Sequence, residues 1–211
     1  MSAVFFVYNY LVVRIFVLLL TDSNNMLNSA LIFHHLLFQS IYQNPQKALQ
    51  SRAFLSKTRR NKTMTKILFI CHGNICRSTM AESVMTYLIK QAHREDEFYI
   101  NSAATSREEI GNPPHRGTVA KLKSEGIPVI PHRAVQMTLN DYEEYDYLIG
   151  MDTENIRNMQ RISGGDPDEK IYKLLTFAGS GMDVADPWYT GDFDATYNDV
   201  LAGCKGILEN L

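Results

Sequence analysis

The stretch Ile67–Thr79, ILFICHGNICRST, decides how this chain folds. It begins as an unbroken apolar run. It then turns abruptly into a segment holding two cysteines, a glycine, an asparagine and an arginine. KILFI (66–70) has the length and composition of a short strand buried on both faces. RSTMAESVMTYLIKQAH (77–93) places Met80, Ala81, Val84, Met85 and Leu88 at helical spacing. Between strand and helix, Cys71 and Arg77 are separated by five residues. Backbone N–H groups in such a loop can turn inward around an anion. Gly73 permits close backbone approach, and Asn74 tolerates a left-handed conformation. Arg77 offers a planar fork to two phosphoryl oxygens. An anion cradle also favours the ionised form of a thiol held in it. Cys71 therefore reads as a nucleophilic thiolate, with the Ser78 hydroxyl placed to donate to its sulfur. His72, Ile75 and Cys76 complete the loop and would line the bound group. A Cys and an Arg at this spacing are ordinary core and helix-start residues when alone. The order strand, Cys, Gly, Asn, Arg, Ser, helix is what carries the phosphate reading.

Outward from the loop, the pattern keeps alternating. EFYINSAA (97–104), YDYLIGM (145–151) and IYKLLTFA (171–178) read as three further strands. PPHRGTVAKLKSEG (113–126), DTENIRNMQRI (152–162) and DFDATYNDVLAGCKGILENL (192–211) read as helices. Asp152 or Thr153 can cap the middle one. The expected fold is α/β, a four-stranded parallel sheet with helices on both faces. In open sheets of this kind ligands bind at the carboxyl ends of the strands, where the Cys71 loop lies.

The 211 residues suffice for a core without disulfides or metals. Three cysteines, Cys71, Cys76 and Cys204, are too few for a disulfide framework and fit a reducing, cytoplasmic setting. No Cys/His spacing resembles a zinc site, so no metal or cofactor is expected. No nucleic-acid partner is expected either. The formal charge of −2 conceals a division: residues 1–63 hold seven Lys/Arg and only Asp22, whereas residues 64–211 hold 14 Lys/Arg against 22 Asp/Glu. All 12 glycines follow position 64.

Residues 1–63 thus form an apolar then basic extension, and 64–211 the folded domain. AVFFVYNYLVVRIFVLLL (3–20) is at the lower length limit for a membrane span. Arg14 within it costs about 2.5–3.5 kcal/mol on insertion scales. The extension reads as a membrane anchor, as a buried helix pair, or as sequence upstream of a true start at Met64, and the last is the expectation. A membrane partner follows only if the extension is genuine.

Thiolate attack on a phosphate ester needs a proton for the leaving oxygen. Asp186 in VADPWYTGD is the candidate acid. Pro187 biases it to an extended backbone, and Trp188 and Tyr189 can wall a flat aromatic substrate. An ordinary Asp-Pro turn is an equal reading on these residues alone. Asp183 and Asp192 lie nearby.

CHGNICRS resembles the signature of the low-molecular-weight protein tyrosine phosphatases, C-x-G-N-x-C-R-S. The resemblance extends over 64–211 through STMAES, NSAATS, GNPPH, IPHRA, DYLIGMD and DPWYTGD. It implies hydrolysis of phosphotyrosine or aryl phosphates through a phosphocysteine on Cys71. Arg77 would bind the phosphoryl group and Asp186 would act as acid and base. It implies that Ser102 and His132 support the loop asparagine. Thr79 departs from the usual Pro. Glu108 stands where mammalian members often place an aromatic, which removes one apolar wall and disfavours acidic peptides.

Related chemistries on the same fold compete. Arsenate reduction needs a relay of further cysteines, and only Cys204 remains outside the loop. Phosphoarginine phosphatases resemble C-x-G-N-T-C-R, with Thr where this chain has the bulkier Ile75. An inactive phosphoprotein-binding module would need neither thiolate nor acid. Cys76 is expected to trap an oxidised Cys71 as a disulfide, which makes the enzyme redox-sensitive; a small buried core residue is the alternative.

Overall fold

The computed structural model describes residues 64–211, so the expectations for the extension lie outside the described residues. Strand β1 (Thr65–Cys71) has every residue from Ile67 to Cys71 buried. It lies inside a four-stranded parallel sheet of order β2-β1-β3-β4, with β2 Phe98–Ala104, β3 Tyr147–Gly150 and β4 Ile171–Lys173. Successive residues of β1 point to opposite faces. Ile67, Phe69 and Cys71 enter one core with helices α1 (Arg77–Gln91) and α2 (Arg116–Ser124). Leu68 and Ile70 enter the other, with α3 (Leu139–Glu144) and α4 (Thr153–Ser163). Helices α5 (Pro187–Thr190) and α6 (Phe193–Asn210) complete the described residues, and α6 packs beside α1. The expected α/β fold with helices on both faces is the one observed.

Two details differ from the sequence reading. The fourth strand stops at Lys173, and Leu174–Ala178 tightens into a 3-10 turn. The turn seats on α6, where a Cβ at Gly203 would collide with Leu174 and one at Gly206 with the Phe177 carbonyl. Helices α3 and α5 are additions to that reading, α3 being fixed by a capping box between Thr138 and Asp141. No helix among the described residues is long and apolar enough to cross a membrane. Parallel strands send the segments after β1, β2, β3 and β4 toward one edge of the sheet, and that edge carries the site.

Candidate active site

The loop between β1 and α1 is held from behind by one side chain. Asn74 is fully buried and left-handed, with φ of 57°. Its Nδ2 donates to Ser78 Oγ at 3.0 Å and Ser102 Oγ at 2.8 Å. Those two donations fix the amide orientation and leave Oδ1 to accept. It accepts from His132 Nε2 at 2.6 Å and from the Val135 N–H at 3.1 Å. Ser102 Oγ donates a hydrogen bond to Glu82 Oε2 at 2.6 Å, and His132 Nδ1 lies 3.4 Å from the same oxygen. Burial pushes the Glu82 carboxyl up and the His132 imidazole down. Ser102 and His132 both contact Asn74, and Glu82 closes the network. STMAES carries Glu82 without marking it.

Cys71 Sγ receives the Asn74 backbone N–H at 3.2 Å and lies 3.1 Å from Ser78 Oγ. Because Ser78 Oγ already accepts from Asn74, its proton is free to point at the sulfur. Both contacts converge on the sulfur from inside the loop and aim it at the cavity. The loop backbone is tied outward too: the carbonyls of Cys71, His72 and Ile75 accept from the N–H groups of Thr105, Ser106 and His115.

Arg77, the first residue of α1, is 3% exposed. Its Nη1 donates to Asp152 Oδ2 at 2.6 Å, and its Nη2 pairs with Asp186 Oδ2 at 2.5 Å. Burial opposes the guanidinium charge, but Cys71, Asp186 and Asp152 more than offset it and hold its pKa above the ordinary value. Asp152 is legible from sequence only as the N-cap of α4, which it is, accepting from the Asn155 N–H. Its second oxygen orients the arginine.

Asp186 has the extended backbone that Pro187 favours, and it caps α5 by accepting from the Trp188 N–H at 3.0 Å. Its segment is fastened at Val184, whose N–H reaches the Met151 carbonyl. Ala185 is held by Asp199 and Thr196 of α6. The neighbouring acids have structural work: Asp183 pairs with Lys173 and Thr153, and Asp192 caps α6.

These groups surround one cavity of about 140 Å³. Cys71 and Arg77 lie against it with His72, Gly73, Ile75 and Cys76, and Asp186, Trp188 and Tyr189 face it from the α5 segment. Asn74, Ser78, Ser102 and His132 stand behind. Trp188 and Tyr189 are mostly exposed, as walls open to solvent. At the mouth, Glu108 Oε2 lies 3.1 Å from His72 Nε2, and Glu109 packs over Gly73. Cys76 is buried, and burial followed by the nearby Cys71 and Asp186 charges pushes its thiol up to about 12. Thr79, the departure from Pro, donates to the Cys76 carbonyl.

The model of the low molecular weight phosphotyrosine protein phosphatase family matches residues 66–211. The chain is 37% identical over 150 residues to the low molecular weight protein-tyrosine-phosphatase YfkJ of Bacillus subtilis (strain 168), covering 70% of this chain and 96% of that one. It is 34% identical over 149 residues to the phosphatase PtpA of Staphylococcus aureus (strain MRSA252), covering 69% and 93%. The crystal structure of YfkJ superposes with a TM-score of 0.68 over 71% of this chain and 95% of its own. That of SP-PTP, a low molecular weight protein tyrosine phosphatase from Streptococcus pyogenes, does so at 0.64 with 42% identity, over 70% and 93%. Loop, fold and matched length agree, and the chain belongs to the low-molecular-weight protein tyrosine phosphatase family.

Proposed function

We propose that this protein hydrolyses phosphotyrosine in two steps at the Cys71 loop. The observation that carries the reading is the convergence of Cys71, Arg77 and Asp186 on a single cavity. In the first step the Cys71 sulfur attacks phosphorus and the bond to the tyrosyl oxygen breaks. Asp186 gives its proton to that departing oxygen, which otherwise leaves poorly. Arg77 and the loop N–H groups hold the equatorial oxygens, whose charge dominates phosphoryl transfer. In the second step Asp186 takes a proton from water, which attacks phosphorus, releases phosphate and frees the thiolate. Trp188 and Tyr189 flank the aryl ring. Ile75, packed with Cys76, Ala134 and Phe193, keeps the floor apolar and favours an aryl over a guanidino phosphate.

The partners are tyrosine-phosphorylated proteins or small aryl phosphates. Cysteine usage supports a cytoplasmic setting. Cys76 serves as a resolver that protects an oxidised Cys71. Residues 64–211 contain the whole phosphatase, since every group named here lies within them, and a chain beginning at Met64 is expected to be soluble and active. Turnover of phosphotyrosine, phosphoserine and phosphoarginine peptides in one assay tests the substrate class. Phosphotyrosine is expected to exceed the others by at least about a hundredfold; a preference for either of the others refutes the reading.

A further inference from the structure

The cavity alone does not account for one imidazole that ties its two halves together. His115 ends the β2–α2 segment and caps α2, its Nδ1 accepting from the Gly117 N–H at 3.1 Å. A ring that accepts at Nδ1 carries its proton on Nε2. The His115 backbone N–H donates to the Ile75 carbonyl at 2.7 Å, so this residue is fastened to the phosphate loop. Its ring stacks on Phe193, with centroids 5.4 Å apart and planes 3° from parallel. It also meets Trp188 edge-on, at 6.3 Å and 71°. Both are geometries that aromatic rings favour. Phe193 opens α6 and packs on Ile75, Cys76 and Ala134. Gly117 leaves the room this stack needs, because a Cβ there would collide with the Phe193 ring.

Trp188 lies two residues after Asp186, and its backbone N–H is already held by that carboxylate. A ring that fixes Trp188 therefore fixes the turn from which Asp186 projects. We propose that His115 is a positioning residue for the acid: through Phe193 and Trp188 it sets Asp186 over the Cys71 loop. The cap and the stack are separable functions of the one side chain. The cap stabilises α2, whereas the stack aligns the proton donor. This inference rests on the phosphatase reading and adds a residue to it.

The test separates the two functions by substitution. His115→Asn keeps a cap acceptor and removes the ring. His115→Phe keeps a flat ring and removes the acceptor. Single-turnover rates are measured on aryl phosphates of graded leaving-group basicity, with phosphotyrosine peptide as one member. His115→Asn is expected to lose about tenfold on the most basic leaving groups and little on a nitrophenyl ester, since misplacing an acid matters only where a proton is needed. His115→Phe is expected to recover most of that loss while melting at a lower temperature. Trp188 is the sole tryptophan of the chain, so its emission reports the contact directly. In His115→Asn it is expected to move toward that of a water-exposed indole. Phe193→Leu removes the stack from the other side and is expected to reproduce the leaving-group effect, which keeps the test intact if His115→Asn fails to fold. A wild-type dependence on leaving group in both His115→Asn and Phe193→Leu overturns the proposal. So does an unchanged Trp188 emission. Wild-type failure on phosphotyrosine, with the aryl series still hydrolysed, refutes the substrate reading and leaves the His115 comparison standing.

Discussion

Arg77 Nη2 lies 2.5 Å from Asp186 Oδ2, so the proposed phosphate-binding group and the proposed proton donor hold each other. On the proposed mechanism, a phosphoryl group entering the loop is expected to compete with Asp186 for the same guanidinium edge. Asp186→Asn removes the competing charge. It is expected to bind phosphate or vanadate a few-fold tighter, the scale of an ion pair worth about 1 kcal/mol. The same variant is expected to lose about a hundredfold or more on phosphotyrosine and far less on a nitrophenyl ester. Isothermal titration and single-turnover kinetics on one preparation read both. Weaker anion binding contradicts the competition, and equal losses on both esters remove Asp186 from the acid role.

Cys71→Ser is expected to abolish turnover, by about four orders of magnitude or more, and to keep phosphate binding. On the proposed mechanism Arg77 and the loop N–H groups hold the anion, whereas only sulfur attacks. Substantial turnover by the variant, or loss of phosphate binding with the fold intact, excludes this division.

The Cys76 thiol is pushed up to about 12, by burial first and then by the Cys71 and Asp186 charges. Only its thiolate can attack an oxidised Cys71. Oxidation of Cys71 removes its charge but leaves the burial that is the largest cause, and below the raised pKa each unit rise in pH increases the thiolate fraction about tenfold. Formation of a Cys71–Cys76 disulfide after peroxide is therefore expected to accelerate with pH between about 7 and 9. Cys76→Ser is expected to keep most activity but to recover poorly when reductant follows peroxide. Mass spectrometry of the linked peptide against pH checks the first expectation, and a flat profile defeats it. Equal recovery of variant and wild type defeats the second.

Glu108 and Glu109 put two carboxylates at the mouth of a site that must admit an anion. Phosphotyrosine flanked by acidic residues meets repulsion there. Glu108→Lys is expected to raise kcat/KM for an acidic-flanked phosphopeptide about three- to tenfold, with the gain shrinking as salt rises. Phenyl phosphate, lacking flanks, is expected to change much less. An equal change for both substrates assigns the effect to the cavity and not to its rim.

The phosphate loop was readable because its chemistry and its local pattern coincide. Ile67–Ile70 announce a buried strand, the helical repeat begins at Arg77, and the residues between leave few other uses for a Gly, an Asn and an Arg. Asn74 illustrates what local reading cannot reach. Its left-handed backbone follows from residue type, but its four partners come from α1, β2 and the segment after α2. Asp152 is harder still: as a helix cap it is plain in sequence, while its grip on Arg77 joins residues 75 apart. The end of β4 lies in the same class. Leu174–Ala178 has a strand's composition, and only the glycine surface of α6 turns it into a 3-10 coil.

Cys71 shares one face of β1 with Ile67 and Phe69, while Leu68 and Ile70 take the other. Adding or deleting one residue between Lys66 and Cys71 would turn the nucleophile toward α3 and α4 and exchange the two cores along the strand. Changes of chain length there survive only in even steps. The loop stretches 107–110 and 180–182, which lie between backbone fastenings, are bound by no such parity. The strand that aims the sulfur is thus locked by arithmetic and not by the identity of any single residue, whereas the rim of the cavity is under no such constraint.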